Sequence, residues 1–217
     1  MPRRAFFKKA KVYADCTGRW NHNIHYHPVL LAAMPDRCAR ALDIGCGEGS
    51  LARALRQSVA HVSAIDIDEE SIEVARRQGA YSGIDYILGD FLTLPFAPGS
   101  FDFVTCAAAL HHMDVDVALR RMRELLRPGG TLAILGLARS SYPADLPRDI
   151  AATMMSHVYR RTKSYWESSA PTVWPPPQTY REVRLLAERT LPRARFRRHL
   201  LWRYSIIWTK PTIPLRA

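Results

Sequence analysis

Short apolar runs alternate with amphipathic segments along the chain from residue 39 onward. The runs RALDI, HVSAID, IDYIL, SFDFVTC and TLAILGL have the length and apolar content of β-strands. Segments with apolar residues at every third or fourth position, such as SLARALRQ, EESIEVARR and DVALRRMRELL, lie between them. Asp68 should cap the second of these helices, and RPGG should end the third. This alternation predicts an α/β fold with a parallel sheet and helices on both faces.

The end of the chain departs from this alternation. Residues 138–178 are rich in proline, including WPPP, and we predict that they are irregular. Thr179 and Glu182 have the spacing of a capping box at the start of TYREVRLLAER. The segments ARFRRHLLW and RYSIIWTK predict a closing hairpin. One face of its second strand would carry Tyr204, Ile206 and Trp208.

Length and composition are those of one globular domain. The chain has 217 residues, 47% of them apolar, and no apolar stretch approaches the roughly 18 residues of a membrane span. The basic start, MPRRAFFKKAKVYA, resembles the head of a targeting peptide, but no apolar core or cleavage site follows it. We therefore interpret it as part of the folded protein. Cys16, Cys38, Cys46 and Cys106 show no CxxC spacing, which predicts a reduced, cytoplasmic setting.

The charge balance is basic. Lys and Arg total 31 against 20 Asp and Glu, giving a net charge of +11. The excess is concentrated in RRAFFKKAK, YRRTKSYW and RARFRRHLLWRY. It is typical of an arginine-rich solvated surface, and a dedicated patch for a polyanion or an anionic membrane surface is the alternative.

Three glycines alternate in LDIGCGEGSLARAL, between the first strand and the first helix. Gly45, Gly47 and Gly49 let the backbone turn tightly and approach a ligand closely. The free N–H groups of the following helix favour a polar or anionic group there. Asp66 ends the next strand, near the offset of about 20 residues at which a carboxylate binds ribose hydroxyls. A nucleotide-like cofactor is the leading interpretation, and a plain strand-to-helix turn is the alternative.

Two further segments join this loop in a resemblance to a known family. LDIGCGEG resembles motif I of the class I S-adenosylmethionine (SAM)-dependent methyltransferases. GDFLTLPFAPGSFDFV is similar to the G-D-x-x-x-L-P-F-x-x-x-S-F-D segment of that family, and LHHMDVDVALRRMRELLRPGGTLAI resembles its L-x-P-G-G turn with the preceding helix. Order and spacing agree across residues 40–137. Within the family, the chain is most similar to a small-molecule branch that includes ubiquinone and menaquinone C-methyltransferases.

The resemblance implies a Rossmann-like sheet of seven mostly parallel strands with an antiparallel terminal strand. Residues 39–217 would form the methyltransferase domain. Residues 1–38 would form an N-terminal helical lid, and residues 138–178 a variable insertion on the substrate side.

The resemblance also implies how SAM, and its product S-adenosylhomocysteine, would be bound. Gly45 and Gly47 would lie under the methionine part of the cofactor, with Asp43 near its amino group. Asp66 would hold the ribose hydroxyls, and Ile67 would pack on the adenine.

The remaining cofactor contacts follow the third and fourth strands. Asp90 would accept a hydrogen bond from the adenine amino group, beside the Phe91 backbone, and Ala107 would border the cofactor. A sulfonium cation with a free amine suits a cleft lined by Asp43, Asp66 and Asp90. The pyrophosphate of NAD, the competing cofactor, does not.

Several ring side chains are candidates for the methyl acceptor site. Histidine titrates near pH 6.5, so it can act as a general base. The candidate bases are His111, His112 and His27, and a structural role is the alternative for at least one of the His111–His112 pair. The candidate acceptor contacts are His25, Tyr26, Tyr165 and Trp166, which suit a flat small molecule or, alternatively, pack the lid onto the sheet.

Other functions remain as alternatives. His22, His25 and His27 are closely spaced, but no further ligand completes a metal site, so we predict none. A non-catalytic SAM-binding or scaffold protein is the second hypothesis. An RNA or protein methyltransferase is the third, and TCAAALHH lacks the Asn/Asp-Pro-Pro-aromatic motif of enzymes that methylate exocyclic amines. The acceptor atom, whether oxygen, carbon or nitrogen, stays open.

Overall fold

A computed structural model describes residues 18–78, 83–166 and 173–212 of the chain. The strands of this part form one sheet in the order β3-β2-β1-β4-β5-β7-β6. Their bounds are β1 Arg40–Ile44, β2 His61–Asp66, β3 Ile84–Leu88, β4 Phe101–Ala107, β5 Leu126–Leu137, β6 Arg195–Arg198 and β7 Arg203–Thr209. β1 to β5 are parallel, and β7 is antiparallel to both of its neighbours. The predicted sheet and closing hairpin are confirmed.

Helices cover both faces of the sheet. Their bounds are α1 His27–Leu31, α2 Ser50–Arg56, α3 Glu69–Arg77, α4 Val115–Leu125, α5 Leu146–Thr162 and α6 Tyr180–Thr190. Alternate residues of β1 face opposite sides, so Leu42 packs with α4 and α6, whereas Ala41 packs with α1 and α2. The predicted apolar face of β7 is confirmed, because Tyr204, Ile206 and Trp208 are all buried.

Polar side chains cap the start of three helices. Asp68 accepts a hydrogen bond from the Ser71 amide at 2.9 Å at the start of α3, as predicted. Both halves of the predicted Thr179–Glu182 capping box form at the start of α6. Asp114 caps α4 in the same way as Asp68. Each cap satisfies a backbone N–H that the helix itself leaves without an acceptor.

The strand order reverses between β1 and β4. β2 and β3 follow β1 on one side, whereas β4 and β5 extend the sheet on the other. In doubly wound sheets a crevice opens at this point, beyond the carboxyl ends of the strands. This geometry places the loops after β1, β2, β3 and β4 around one cleft.

The prediction that residues 138–178 are irregular is wrong, because they contain the long helix α5. Its apolar residues occupy two faces: Ala152 lies on a buried face, whereas Leu146, Ile150, Met154 and Val158, each four positions apart, lie on an exposed face. A helix without a single apolar face gives no clear period of 3.6 residues. Its proline lies in the first turn, where the missing N–H costs nothing.

RPGG ends α4 as predicted, but it also belongs to β5. The Gly129 amide donates to the Lys210 carbonyl, and the Lys210 amide donates to the Gly130 carbonyl, both at 2.8 Å. These bonds extend the sheet pairing through the turn. TLAILGL is buried along its whole length, as predicted.

The region before β1 is helical only in part. Residues 1–17 lie outside the described residues, so the lid over residues 1–38 stays a prediction. A 3₁₀ turn, Ile24–Tyr26, leads directly into α1. In the described part of the chain, no helix combines the length and the apolar character needed to cross a membrane.

Candidate active site

A cleft of about 680 Å³ opens at the carboxyl ends of β1, β2 and β4. Volumes of about 300–1,000 Å³ are typical of small-molecule sites. Two kinds of side chain line different ends of the cleft. We call the carboxylates from β1, β2 and the loop after β3 the acidic end, and the histidines grouped around Arg203 the histidine end; the two adjoin where the charge of Asp66 acts on His112.

The glycine loop turns the chain from β1 into α2. Gly45, Gly47 and Gly49 all have positive φ angles, of 67°, 50° and 76°. Residues with a Cβ atom rarely adopt this backbone conformation, which explains why glycine occupies all three positions. A Cβ atom added at Gly47 would meet no atom within 4 Å, so the loop leaves space beside its backbone.

Asp43 is a fully buried carboxyl group on the floor of the cleft. Its Oδ1 accepts a hydrogen bond from Thr105 Oγ1 at 2.9 Å. Its Oδ2 has no hydrogen-bond partner among the described residues, although the nearby Ala52 amide favours the charged form. Burial outweighs both contacts and raises the pKa of Asp43 to about 7. Oδ2 can therefore accept from a cationic ligand.

Asp66 holds the glycine loop in place. Its Oδ2 accepts from the Gly47 amide at 2.7 Å, and its Oδ1 accepts from the Asp68 amide at 3.0 Å. A carboxylate has about four lone-pair sites, so acceptor capacity remains for ribose hydroxyls. The spacing of the sequence predicted the ribose contact but not this support of the loop.

The loop after β3 contributes the next wall of the acidic end. Asp90 Oδ1 accepts from the Leu92 amide at 2.8 Å, which fixes the turn. Phe91 is buried, and its carbonyl accepts from Arg121 Nε at 2.7 Å. Ile67, which also lines the cleft, is 73% exposed, so an apolar surface is free to receive a flat ring.

The loop after β4 passes from Ala107 into a 3₁₀ turn, Leu110–His112. His111 and His112 both line the cleft, with ring centroids 4.2 Å apart. Burial, with the charges of His112 and Arg203, lowers the pKa of His111 to about 4, and burial also lowers the pKa of His112. His111 Nδ1 has no hydrogen-bond partner within the described ranges. Both rings are thus neutral near pH 7.

Two segments that are distant in sequence, around Trp20 and around residues 164–166, form another wall of the cleft. The Trp20 amide donates to the Ser164 carbonyl, and the Trp166 amide donates to the Trp20 carbonyl, both at 2.9 Å. This bridge places Tyr165 and Trp166, just after α5, beside residues 21–24 in the cleft wall. The structure therefore brings the predicted Tyr165 and Trp166 to the cleft.

The histidines of the NHNIHYHP stretch have different positions. His22 and His27 line the cleft, and His22 Nε2 lies 2.9 Å from Ser156 Oγ. His25 and Tyr26 do not belong to the described lining. Trp20 Nε1 donates to His25 Nδ1 at 3.3 Å, and the Tyr26 hydroxyl donates to the Leu200 carbonyl at 2.7 Å. These contacts favour the packing alternative for His25 and Tyr26.

Arg203 is a lining residue that the sequence analysis missed. It begins β7, is buried, and donates from Nε and Nη2 to Asn23 Oδ1 at 2.9 and 2.7 Å. A charged residue at the start of an apolar strand is a weak signal, because most such residues face solvent. Only the pairing of β7 with β5 places Arg203 beside Leu137 in the cleft.

The cysteines and histidines do not assemble a metal site in the described ranges, where no group of three His, Cys, Asp or Glu could hold an ion. Cys38, Cys46 and Cys106 are free thiols. Burial raises the pKa of Cys106 to about 12, as expected for a small core residue. Cys16 lies outside the described residues.

Comparisons with known proteins identify the family of the chain. A family profile described as "Methyltransferase domain" matches residues 42–134. An uncharacterised methyltransferase of Mycobacterium bovis is 38% identical over 193 residues, which is 88% of this chain and 98% of the relative. A ubiquinone biosynthesis O-methyltransferase of Xanthomonas campestris is 42% identical over 106 residues, covering 47% of this chain and 44% of the relative.

A solved structure shows the same fold. The YcgJ protein of Bacillus subtilis has a TM-score of 0.58 and 22% identity, covering 79% of this chain and 70% of its own. The order and direction of the strands thus match a known architecture.

Proposed function

The chain belongs to the class I SAM-dependent methyltransferases, and we propose that it transfers a methyl group to a small organic acceptor bound at the histidine end of the cleft. One observation carries this proposal. Asp43, with a buried and partly unsatisfied carboxyl group, lies in the same cleft as Asp66 and Asp90 and as a pair of neutral histidines. A cationic cofactor fits the first end, and an acceptor that loses a proton fits the second.

The acidic end fits SAM residue by residue. We assign Asp43 to its ammonium group and the backbone of Gly45 and Gly47 to its methionine part. Asp66 would accept from the ribose hydroxyls while it still holds Gly47.

The adenine site would lie between the loops after β2 and β3. We assign Ile67 and Phe91 to the faces of the ring and Asp90 to its amino group, with Ala107 at the border of the site. The exposed side chain of Ile67 and the buried ring of Phe91 provide apolar surface there.

The chemistry of the transfer needs little from the protein beyond alignment. When bound, the cofactor supplies a methyl group on a positively charged sulfur. After transfer that sulfur is neutral, and the leaving molecule is S-adenosylhomocysteine. The walls of the cleft hold the acceptor in line, and orientation of this kind can contribute about 7–11 kcal/mol. Neutral His111 or His112 accepts the proton that a hydroxyl or ring-carbon acceptor releases. His27, at the start of α1, is the third candidate base.

The acceptor that fits best is a flat, partly apolar molecule. Tyr165 and Trp166 provide ring surface on the wall that they share with residues 21–24. The relative from Xanthomonas is named for O-methylation in ubiquinone biosynthesis, whereas the sequence motifs resemble C-methyltransferases of the quinone branch. Both describe acceptors that lose a proton, which is what the neutral histidines support.

Calorimetry followed by a turnover assay tests this function. SAM and S-adenosylhomocysteine should bind the full chain, and NAD should bind more weakly. A panel of phenols and quinols, incubated with methyl-labelled SAM, should then yield a labelled product. Tighter binding of NAD than of SAM would refute the cofactor assignment. SAM binding without transfer to the panel or to a small-molecule cell extract would favour the non-catalytic alternative.

A further inference from the structure

Arg203 is a buried cation without a carboxylate partner among the described residues. The residue is 7% exposed and lines the histidine end of the cleft. Burial lowers the pKa of Arg203 to about 10, and the groups that act against this are the hydroxyls of Tyr180, Tyr26 and Tyr165. Phenols carry no charge near pH 7, so none of these groups balances the cation. Burial of an unpaired cation destabilises the fold, because the charge loses its hydration. An anionic ligand that pairs with the cation would offset this loss of free energy.

The hydrogen bonds of Arg203 leave part of its donor capacity for a ligand. Nε and Nη2 donate to Asn23 Oδ1, and Nη1 donates to the Leu201 carbonyl at 3.1 Å. Both acceptors are neutral. A guanidinium has five N–H groups, so two of them remain, one on each terminal nitrogen. Two donors match the two oxygens of one carboxylate.

Among the described lining residues of the cleft, Arg203 is the one Lys or Arg side chain, and Arg160, outside that lining, also acts on His22. His22 and His111 lie close enough for the charge of Arg203 to help lower their pKa values to about 4, so both rings are neutral near pH 7. One cation balances a carboxylate, with a charge of −1. It does not balance a phosphate monoester, with about −1.5 to −2.

The acidic end of the cleft and the charge of Arg203 together determine the orientation of an anionic acceptor. The lining carboxylates of that end are Asp43, Glu48, Asp66, Asp68 and Asp90, whereas Asp114, which caps α4, lines the cleft just after His112. A negative group on an acceptor is repelled from that end and attracted to Arg203. Such an acceptor can enter in one direction only, with its anion away from the cofactor.

We propose that the methyl acceptor carries a carboxylate group, that Arg203 binds this group, and that Asn23 is a positioning residue for the guanidinium. This inference rests on the proposed function, because it names the substrate class of the same cleft. A structural tie between Asn23 and the hairpin is the competing role for Arg203. It explains the bonds to Asn23 but not the absence of a counter-charge within the described chain.

Matched probes test the proposal on the native full chain loaded with S-adenosylhomocysteine. Benzoate and benzamide have nearly the same shape and differ in charge, and phenyl phosphate carries the alternative anion. Benzoate should bind at least about tenfold more tightly than benzamide by calorimetry, the ratio expected from one charge-assisted hydrogen bond. Equal affinity, or no binding of benzoate, overturns the proposal. Tighter binding of phenyl phosphate than of benzoate overturns the assignment to carboxylates.

Two variants separate ligand binding from a structural tie. Asn23→Asp keeps the shape of the positioning residue but supplies a counter-charge, so the preference for benzoate should fall about tenfold while the melting temperature stays the same or rises. Arg203→Lys keeps the charge and should retain part of the preference. If Asn23→Asp leaves the preference for benzoate over benzamide unchanged, Arg203 serves only as a structural link between Asn23 and the hairpin.

A further control keeps the outcome clear. If S-adenosylhomocysteine does not bind, the proposed function fails by itself, and the benzoate-to-benzamide ratio without cofactor still decides the role of Arg203.

Discussion

The two ends of the cleft differ in how the chain builds them and in which charge they accept. The acidic end comes from residues 43–91, in consecutive loops of one half of the sheet. The histidine end combines residues 21–24, 27, 111–112, 165–166 and 203, which are far apart in sequence. The first end holds buried or fixed carboxylates, and the second holds neutral rings around one arginine. The contrast shows that one end of a site can be a compact motif while the other is assembled from distant segments.

The largest expected effect tests the base at the histidine end. The rings of His111 and His112 are neutral near pH 7, but a pKa of about 4 makes His111 a weak base, so His112, whose pKa Asp66 acts to raise, is the stronger candidate to accept a proton. We expect His111→Gln or His112→Gln to lower kcat by about 10²–10⁴-fold, with SAM affinity unchanged. His25→Gln, outside the described cleft lining, is the matched control. Full turnover in both variants would show that the histidines are structural.

The acidic end is tested most strongly by Asp43→Asn. The substitution removes the charge that would pair with the ammonium group of SAM, so calorimetry should show a loss of affinity of about 100-fold or more. Because folding raises the pKa of Asp43 from 3.8 to about 7, this carboxyl group reduces the stability of the ligand-free fold progressively between these two pH values, and the full loss remains at alkaline pH. The melting temperature of the variant at alkaline pH should therefore be equal or higher. Unchanged SAM affinity would contradict the assignment of Asp43.

Asp66→Ala should reduce SAM affinity at least about tenfold, through the lost bonds to ribose. The Gly47 amide would also lose its acceptor, so the loop would be less rigid. The circular dichroism spectrum should stay that of the native fold. A folded variant with native affinity would show that Asp66 supports the loop only.

The pH dependence of SAM binding sharpens the contrast between the ends. Asp43 has a pKa of about 7 in the ligand-free protein and must be ionised to pair with an ammonium group. Affinity should rise about tenfold from about pH 6 to about pH 8, with release of a proton on binding. The histidine rings contribute little to this slope, since the pKa of His111 is already about 4. Asp43→Asn should remove the slope, and a slope that persists would assign it to another group.

The smallest effect separates packing from acceptor binding behind the histidine end. Tyr26→Phe removes the bond from the hydroxyl to the Leu200 carbonyl and should reduce the free energy of unfolding by about 1 kcal/mol. The KM for the acceptor should not change. A large change in KM together with native stability would show that Tyr26 contacts the acceptor.

Local patterns in the sequence determined the sheet, the caps and the acidic end. Strand composition, the capping spacings and the glycine loop depend on residues within a few positions of one another. The cofactor carboxylates follow consecutive strands, whose carboxyl ends must meet in a parallel sheet. Spacing along the chain indicated Asp66, the resemblance of the motifs added Asp43 and Asp90, and the meeting of the strand ends brings all three to one cleft.

Only the tertiary structure decided the rest. The helix α5 has no single apolar stripe, so its sequence shows no helical period, and its packing on the sheet reveals it. The local fold places His22 and His27 in the cleft wall and His25 and Tyr26 in packing contacts outside it, although the four are neighbours in sequence. Arg203 reaches the cleft because β7 pairs antiparallel with β5, and its charge is significant because no described carboxylate lies beside it. Burial and the absence of a partner depend on the whole fold, and no local pattern of residues encodes them.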